Sequence, residues 1–263
     1  KICNMANNKS CNLSEGIKNI GCETKLAYLL ILILIISNIF VFTKLSCKGN
    51  KADEIKDWIN KNPKVILDSV QRYAEEEQAK AQQEQEKRTE KVIKENIAKF
   101  RDEKNTGIAN SKGTKVIVEF FDYNCGYCKM ASKALDKLAK EDKDIKVVFR
   151  DFPIFGGVSE TAAKYSIAVA IAEPNKFLDF HSALMGGNAR TEEGIIEALK
   201  TADISTEKIK KTLRTKNKEI NERIDENKKL GFSINLQGTP ALIIGEEFIP
   251  GYVDAETIKA KLK

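Results

Sequence analysis

The longest apolar run in the chain is residues 26–43, LAYLLILILIISNIFVFT, eighteen positions without a charge between Lys25 and Lys44. At ~1.5 Å per residue a helix here covers ~27 Å, enough to cross a bilayer core. Ser37 and Asn38 do not make the polar face that a core helix of a soluble domain would carry. The run therefore predicts a signal anchor or transmembrane helix, with a cleaved signal peptide as the alternative. Residues 1–25 form a short tail before it, in which Met5 is a candidate start. Leu45-Ser46-Cys47 resembles a lipoprotein cleavage site, except that Lys44 stands where an apolar residue is wanted.

Beyond the run, Ile55, Trp58 and Ile59 share one face of a short helix ending near Asn60. Asn62-Pro63 then reads as an N-cap followed by proline at the first helical position, and Val65, Ile66, Val70 and Tyr73 continue an apolar face. After Tyr73 the apolar positions stop: residues 75–91 have only Ala79 and Ala81 as apolar residues, with Gln, Thr89 and charged residues elsewhere. Glu76–Lys80, Glu84–Arg88 and Glu90–Lys94 are favourably ordered helical pairs. A helix polar all round buries nothing, so this stretch is expected to bridge solvent as a stalk, with disorder as the competing reading. Residues 52–105 are thus a helical oligomerisation segment and stalk. The patch at 55–73 is too small for a core, and self-association is the expected way to cover it.

Residues 106–263 are expected to fold as the main domain, independently of everything before 105. Residues 115–122, KVIVEFFD, read as a buried strand, 129–140 as an amphipathic helix with Met130, Ala134, Leu135 and Leu138 on its apolar face, and 145–149 as a second strand. Strand, helix, strand in this order predicts a parallel unit. Residues 158–230 are helical in pattern, and the chain closes with strands at 241–244 and 246–249 around Gly245 and a helix from Asp254. The fold class is α/β with a helical insertion.

Composition adds limits. The 44 Lys+Arg against 38 Asp+Glu give a net charge of +6, but the lysines are spread evenly and no basic block interleaved with aromatics suggests a nucleic-acid partner. Lys9, Lys18 and Lys25 precede the apolar run and Lys44, Lys48, Lys51, Lys56 and Lys61 follow it. Counted simply, that distribution keeps the large domain in the cytoplasm, although long domains translocate largely regardless of flanking charge. Of six cysteines, Cys3, Cys11, Cys22 and Cys47 match no zinc spacing, and the single histidine, His181, is remote in sequence and expected to be structural.

Cys125-Gly126-Tyr127-Cys128 is different, because it stands where a strand hands over to a helix. A helix N-terminus favours thiolate over thiol, and thiolate is the nucleophile of disulfide exchange. Cys125 is therefore the expected attacking sulfur and Cys128, one turn on, the resolving one. Half of a zinc knuckle would need a second CxxC or CxxH, and none follows. No metal and no cofactor beyond the Cys125–Cys128 redox pair is expected.

VEFFDYNCGYC with Lys129-Met130 strongly resembles the DsbA family of thioredoxin-fold oxidoreductases. The resemblance, covering about 106–263, implies a thioredoxin fold. It makes Glu119, six residues before Cys125, a buried acid that assists proton transfer at the resolving cysteine. It also makes Thr239-Pro240 a cis-proline loop that receives the client backbone beside Gly126 and Tyr127. Asp122, Tyr123 and Phe152 are expected to shape the surface near the site. Residues 52–100 resemble the N-terminal segment of ScsC-type copper-sensitivity suppressors, which implies a trimer. Gly126-Tyr127 and the Thr before the proline resemble the isomerase branch. Isomerase or reductase is therefore favoured, with a disulfide-forming oxidase as the alternative and a copper-binding or chaperone module behind both. The implied partners are cysteine-containing envelope proteins and a membrane redox partner, in a periplasmic setting held to the inner membrane by residues 26–43.

Overall fold

The computed structural model describes residues 22–46, 51–104 and 106–262. The leading tail with Cys3 and Cys11, the Cys47 region and the thiol of Cys22 lie outside what is described. The chain divides into two compact units, 1–77 and 78–263.

The first unit holds α1 (Cys22–Ser46), α2 (Lys51–Lys61) and the start of α3 (Pro63–Phe100). α1 contains Leu26–Lys44, the one stretch among the described residues long and apolar enough to cross a membrane, with mean hydropathy 2.6. Ile55, Trp58 and Ile59 on α2 and Leu67, Val70 and Tyr73 on α3 are all exposed. Asn62 does not cap α3 through its side-chain oxygen. Its amide nitrogen donates back to the Trp58 carbonyl at 2.8 Å, while its own carbonyl accepts the Val65 N–H at 3.1 Å.

The second unit is a five-stranded sheet in the order β1-β3-β2-β4-β5, flanked by helices. Its strands are β1 (Gly107–Ala109), β2 (Lys115–Phe121), β3 (Ile145–Asp151), β4 (Ala241–Ile244) and β5 (Glu247–Pro250). β2 and β3 pair in parallel around α4 (Gly126–Glu141), and β4 returns antiparallel beside β2. The insertion consists of α5 (Gly157–Ala172), a 3₁₀ turn at Pro174–Lys176, α6 (Phe177–Gly186), α7 (Glu192–Thr201), α8 (Thr206–Thr215) and α9 (Asn217–Ser233). Side-chain caps set two of their starts: Thr191 accepts the Gly194 N–H and Ser205 accepts the Lys208 N–H. The closing helix α10 (Ala255–Lys261) is capped by Asp254 in the same way.

Strand alternation divides the core in two. Ile117, Phe121, Phe149 and Leu242 pack in the cluster that contains Leu135 of α4 and Phe180 of α6. Val118, Phe120, Val148 and Ile243 pack on the other side with Leu230, Ile93 and Phe100. Ile93 and Phe100 belong to α3, so the compact unit that holds the sheet, which starts at Gln78, draws core residues from before 106. The polar stretch 75–91 is exposed except for Thr89 and half-buried Gln85, and α3 turns a buried face inward at Thr89, Ile93 and Phe100. The three positions follow one another at four and seven residues, a helical face that begins where the charge run ends. The Glu84–Arg88 pair forms at 3.7 Å but is exposed and contributes little.

The apolar face of α4 is also rotated from expectation. Cys128, Ala131, Ser132, Leu135, Leu138 and Ala139 are buried, whereas Met130 is 46% exposed. Cys128, at the start of that buried stripe, fixes which side of α4 meets the sheet.

Candidate active site

β2 ends at Phe121, and four residues carry the chain to the first turn of α4. The Asp122 carboxylate holds this bend: Oδ1 accepts the Asn124 N–H and the Ser159 hydroxyl, both at 2.8 Å, and Oδ2 accepts the Ile154 N–H at 2.8 Å. Its backbone carbonyl accepts the Cys125 N–H at 3.0 Å. Asp122, Tyr123 and Phe152 are 2%, 2% and 3% exposed, so they do not shape the surface as expected. They lie beneath it and support the loops that do. Ile154 and Phe155, tethered by Asp122, are the exposed groups there.

Cys125 occupies the N-cap position of α4 in extended backbone. As a thiol it does not cap the helix; it donates to the Thr239 carbonyl at 3.2 Å. Its acidity is strongly raised, with the thiol pulled down to about 5. The largest cause is hydrogen bonding from the Cys128 side chain, followed by Thr239 and the first-turn amides of Cys128 and Tyr127, and burial opposes them. Cys128 is completely buried, and burial first, then its bond to Cys125 and the Glu119 charge, pushes its thiol far up. The two sulfurs therefore differ in kind: one ionises readily and one stays protonated until a base takes its proton.

Glu119 stands on the central strand, level with Phe149 and Leu242, on the side covered by α4. It is fully buried, and neither carboxyl oxygen has a hydrogen-bond partner among the described residues. Burial, then the charges of Asp136, Cys125 and Asp151, raises it well above the usual carboxylate range. Thr239-Pro240 is a cis peptide bond, with Pro240 buried and the Thr239 carbonyl against Cys125. Gly126 and Tyr127, between the two cysteines in the chain, are exposed, Tyr127 by 65%. The structure thus gathers Cys125, Cys128, Glu119 and Thr239 on one side of the sheet.

His181 is buried among Phe121, Phe149 and Phe177, and burial pulls it down to about 3, so it is a neutral structural ring. Sequence reasoning missed what it bonds to. Tyr123 Oη lies 3.1 Å from His181 Nδ1 and donates to Ser166 Oγ at 3.1 Å, and Ser166 donates to Asp151 Oδ2 at 3.2 Å. Asp136 on α4, half-buried, accepts from Ser182 at 2.5 Å. An acid ending the apolar stretch of β3 was the only available sign of Asp151.

Among the described residues no group of three or more His, Cys, Asp or Glu is arranged to hold a metal ion. A family profile described as a DSBA-like thioredoxin domain matches residues 116–263. Disulfide bond formation protein D of Bacillus subtilis (strain 168) is 30% identical over 156 residues, which is 56% of this chain and 70% of that protein. Among solved structures, the thiol-disulfide exchange protein alpha-DsbA2 of Wolbachia pipientis superposes with a TM-score of 0.62 at 28% identity, covering 66% of this chain and 94% of the other. ScsC of Proteus mirabilis in a compact conformation gives a TM-score of 0.57 at 25% identity, covering 77% and 98%. With a reactive sulfur and a shielded one at the head of α4, the chain belongs to the DsbA-like thioredoxin-domain family and is a thiol–disulfide oxidoreductase.

Proposed function

We propose that the chain shuffles disulfides in envelope proteins as an isomerase or reductase, with Cys125–Cys128 as its redox centre. The observation that carries the exchange chemistry is the unequal acidity of the two sulfurs. The Cys125 thiolate attacks a client disulfide: a Cys125–client S–S bond forms, the client S–S bond breaks, and the second client sulfur leaves with the electron pair as thiolate. Cys128 then gives its proton to Glu119 and attacks Cys125. The Cys125–Cys128 bond forms, the mixed disulfide breaks, and the client leaves reduced by two electrons. If a client thiolate attacks first, Cys125 is released as thiolate, and the client is rearranged with no net redox change. The reverse sequence is the oxidase reading. Client backbone is received at Thr239-Pro240, with Gly126 and Tyr127 as exposed contacts.

The apolar face on α2 and the start of α3 supports assembly with other copies, here read as a trimer. Several redox centres on one assembly hold a misbridged client at high effective concentration. Residues 26–43 are read as an inner-membrane anchor with the redox domain on the periplasmic side, where a membrane redox partner resets the pair. A scrambled-ribonuclease assay beside an oxidative refolding assay tests the reading. Activity regained from the scrambled protein supports isomerase; activity gained only from reduced protein means oxidase. A module that only binds copper through the two thiols would be inactive in both.

A further inference from the structure

β2 and β3 are in register, with Glu119 opposite Phe149 and Phe121 opposite Asp151. Residues opposite each other in a parallel pair, and residues two apart on one strand, face the same side of the sheet. Glu119 and Asp151 are therefore diagonal neighbours on the α4 side, separated by no intervening strand. Arg150, the residue between Phe149 and Asp151, points to the opposite side, where it donates to the Phe100 carbonyl. Both acids are buried, at 0% and 1% exposure. Glu119 has no hydrogen-bond donor on either oxygen among the described residues, and Asp151 has one oxygen in the same condition. The other oxygen of Asp151 accepts from Ser166, which is itself held by Tyr123 and, through it, His181.

We propose that Asp151 is a positioning residue for the exchange reaction: it holds the standing negative charge of a buried acid pair, so that Glu119 is the member that takes up the proton of Cys128. Their surroundings decide this split. Burial pushes both acids up, but only Asp151 has groups that favour its ionised form, the Ser166 hydroxyl and the Arg150 charge; Glu119 has neither and takes up the proton more readily. Every other group facing the pair is consistent. His181 is neutral, Tyr123 stays protonated because burial raises it, and Asp136 and Asp122 add negative charge from α4 and the loop before it. Arg150 hydrogen-bonds on the opposite side of the sheet but its charge still lowers Asp151, and the sulfurs of Cys125 and Cys128 complete the surroundings. A fixed negative charge beside Glu119 makes its carboxylate a stronger base, closer to the thiol whose proton it must take.

This rests on Glu119 being the proton relay, and the test separates the two ideas. The carboxyl stretch of Glu119, assigned by its loss in Glu119→Gln, is followed by infrared titration of the reduced full chain in detergent. Asp151→Asn should move the midpoint down by about half a pH unit or more, since a like charge is removed. Ser166→Ala, which keeps the carboxyl but withdraws its donor, should move it the same way by less, because Asp151 then competes for the proton. A midpoint that stays or rises in both folded variants overturns the proposal; should Asp151→Asn fail to fold, Ser166→Ala alone decides. Release of a mixed disulfide is measured alongside. Its pH profile should follow the midpoint in Asp151→Asn, and an unchanged release rate in Glu119→Gln would refute the relay without touching the titration result.

Discussion

The Arg150 guanidinium donates to the Phe100 carbonyl at 3.0 Å, tying the last turn of α3 to the second strand of the sheet. The same nitrogen reaches the carbonyls of Lys99 and Asp102 at 2.9 and 2.6 Å, and another donates to Asn227 at 3.2 Å. A cation at a helix C-terminus satisfies orphan carbonyls and complements the dipole. Burial pulls Arg150 down to about 10, which leaves it charged at neutral pH. Its charge is compensated by the carbonyls at the end of α3 together with the carboxylates of Asp102, Glu226 and Asp151.

Cutting the chain before 106 removes Ile93 and Phe100 from the core together with those carbonyls. Each large apolar side chain lost costs about 2–5 kcal/mol, against a total stability of about 5–15 kcal/mol for a domain. Residues 106–263 alone should therefore be unfolded or melt tens of degrees lower, whereas residues 78–263 should melt cooperatively. Calorimetry of the two fragments checks this, and equal melting temperatures would show that α3 is dispensable.

Cys125 should be the residue alkylated at neutral pH, with a midpoint about 5, while Cys128 stays inert. A thiol depressed in the folded state stabilises that state above its unfolded value of about 8.5, and the gain is lost as pH falls through the folded value. The reduced chain should thus lose stability relative to Cys125→Ser as pH drops from about 8.5 to 5. Cys125→Ser should reduce exchange to background, and Cys128→Ser should accumulate client mixed disulfides visible on non-reducing gels. Faster alkylation of Cys128 would reverse the assignment.

What the sequence made legible was local. KVIVEFFD and the strand ending in Asp151 carry β-branched and aromatic runs, and CGYC falls at a strand–helix junction, so the parallel unit and both sulfurs could be placed. Strand β1 was missed because Gly107-Ile108-Ala109 sits among Asn, Ser and Gly that read as a turn; Gly107 is there because a Cβ would meet the Phe177 ring at 1.8 Å. Long-range partners were not legible either. Nothing near Ile93 announces Ile234 or Ile243, and nothing near Asp151 announces Ser166 and Tyr123, because those contacts exist only once the insertion folds back on the sheet.

The exposed apolar residues Ile55, Trp58, Ile59, Val65, Ile66, Leu67, Val70 and Tyr73 should associate in water, as exposed apolar patches do. Residues 52–263 are expected to sediment as a trimer at micromolar concentration. Trp58→Asp with Leu67→Asp should yield monomers with the redox pair intact but isomerase activity reduced about tenfold or more, as the local concentration of sites falls. A monomeric parent would sink the assembly reading.

Glu119→Gln separates a proton relay from a packing role. Gln keeps the shape and cannot carry the proton, so attack by Cys125 should persist while release through Cys128 slows about 100-fold. Stability should move the other way. The folded-state value of Glu119 lies above its unfolded value of about 4.3, chiefly through burial. The stability of the protonated acid is fully present below about pH 4 and is lost as pH rises through the folded value. Gln stays neutral across that window. The two proteins should therefore melt together near pH 4, and the mutant should gain on the parent as pH rises toward 8. Single-turnover release rates and melting curves at pH 4, 6 and 8 check both halves. Unchanged release with a pH-dependent gain in melting temperature would leave Glu119 as a buried acid with no part in proton transfer.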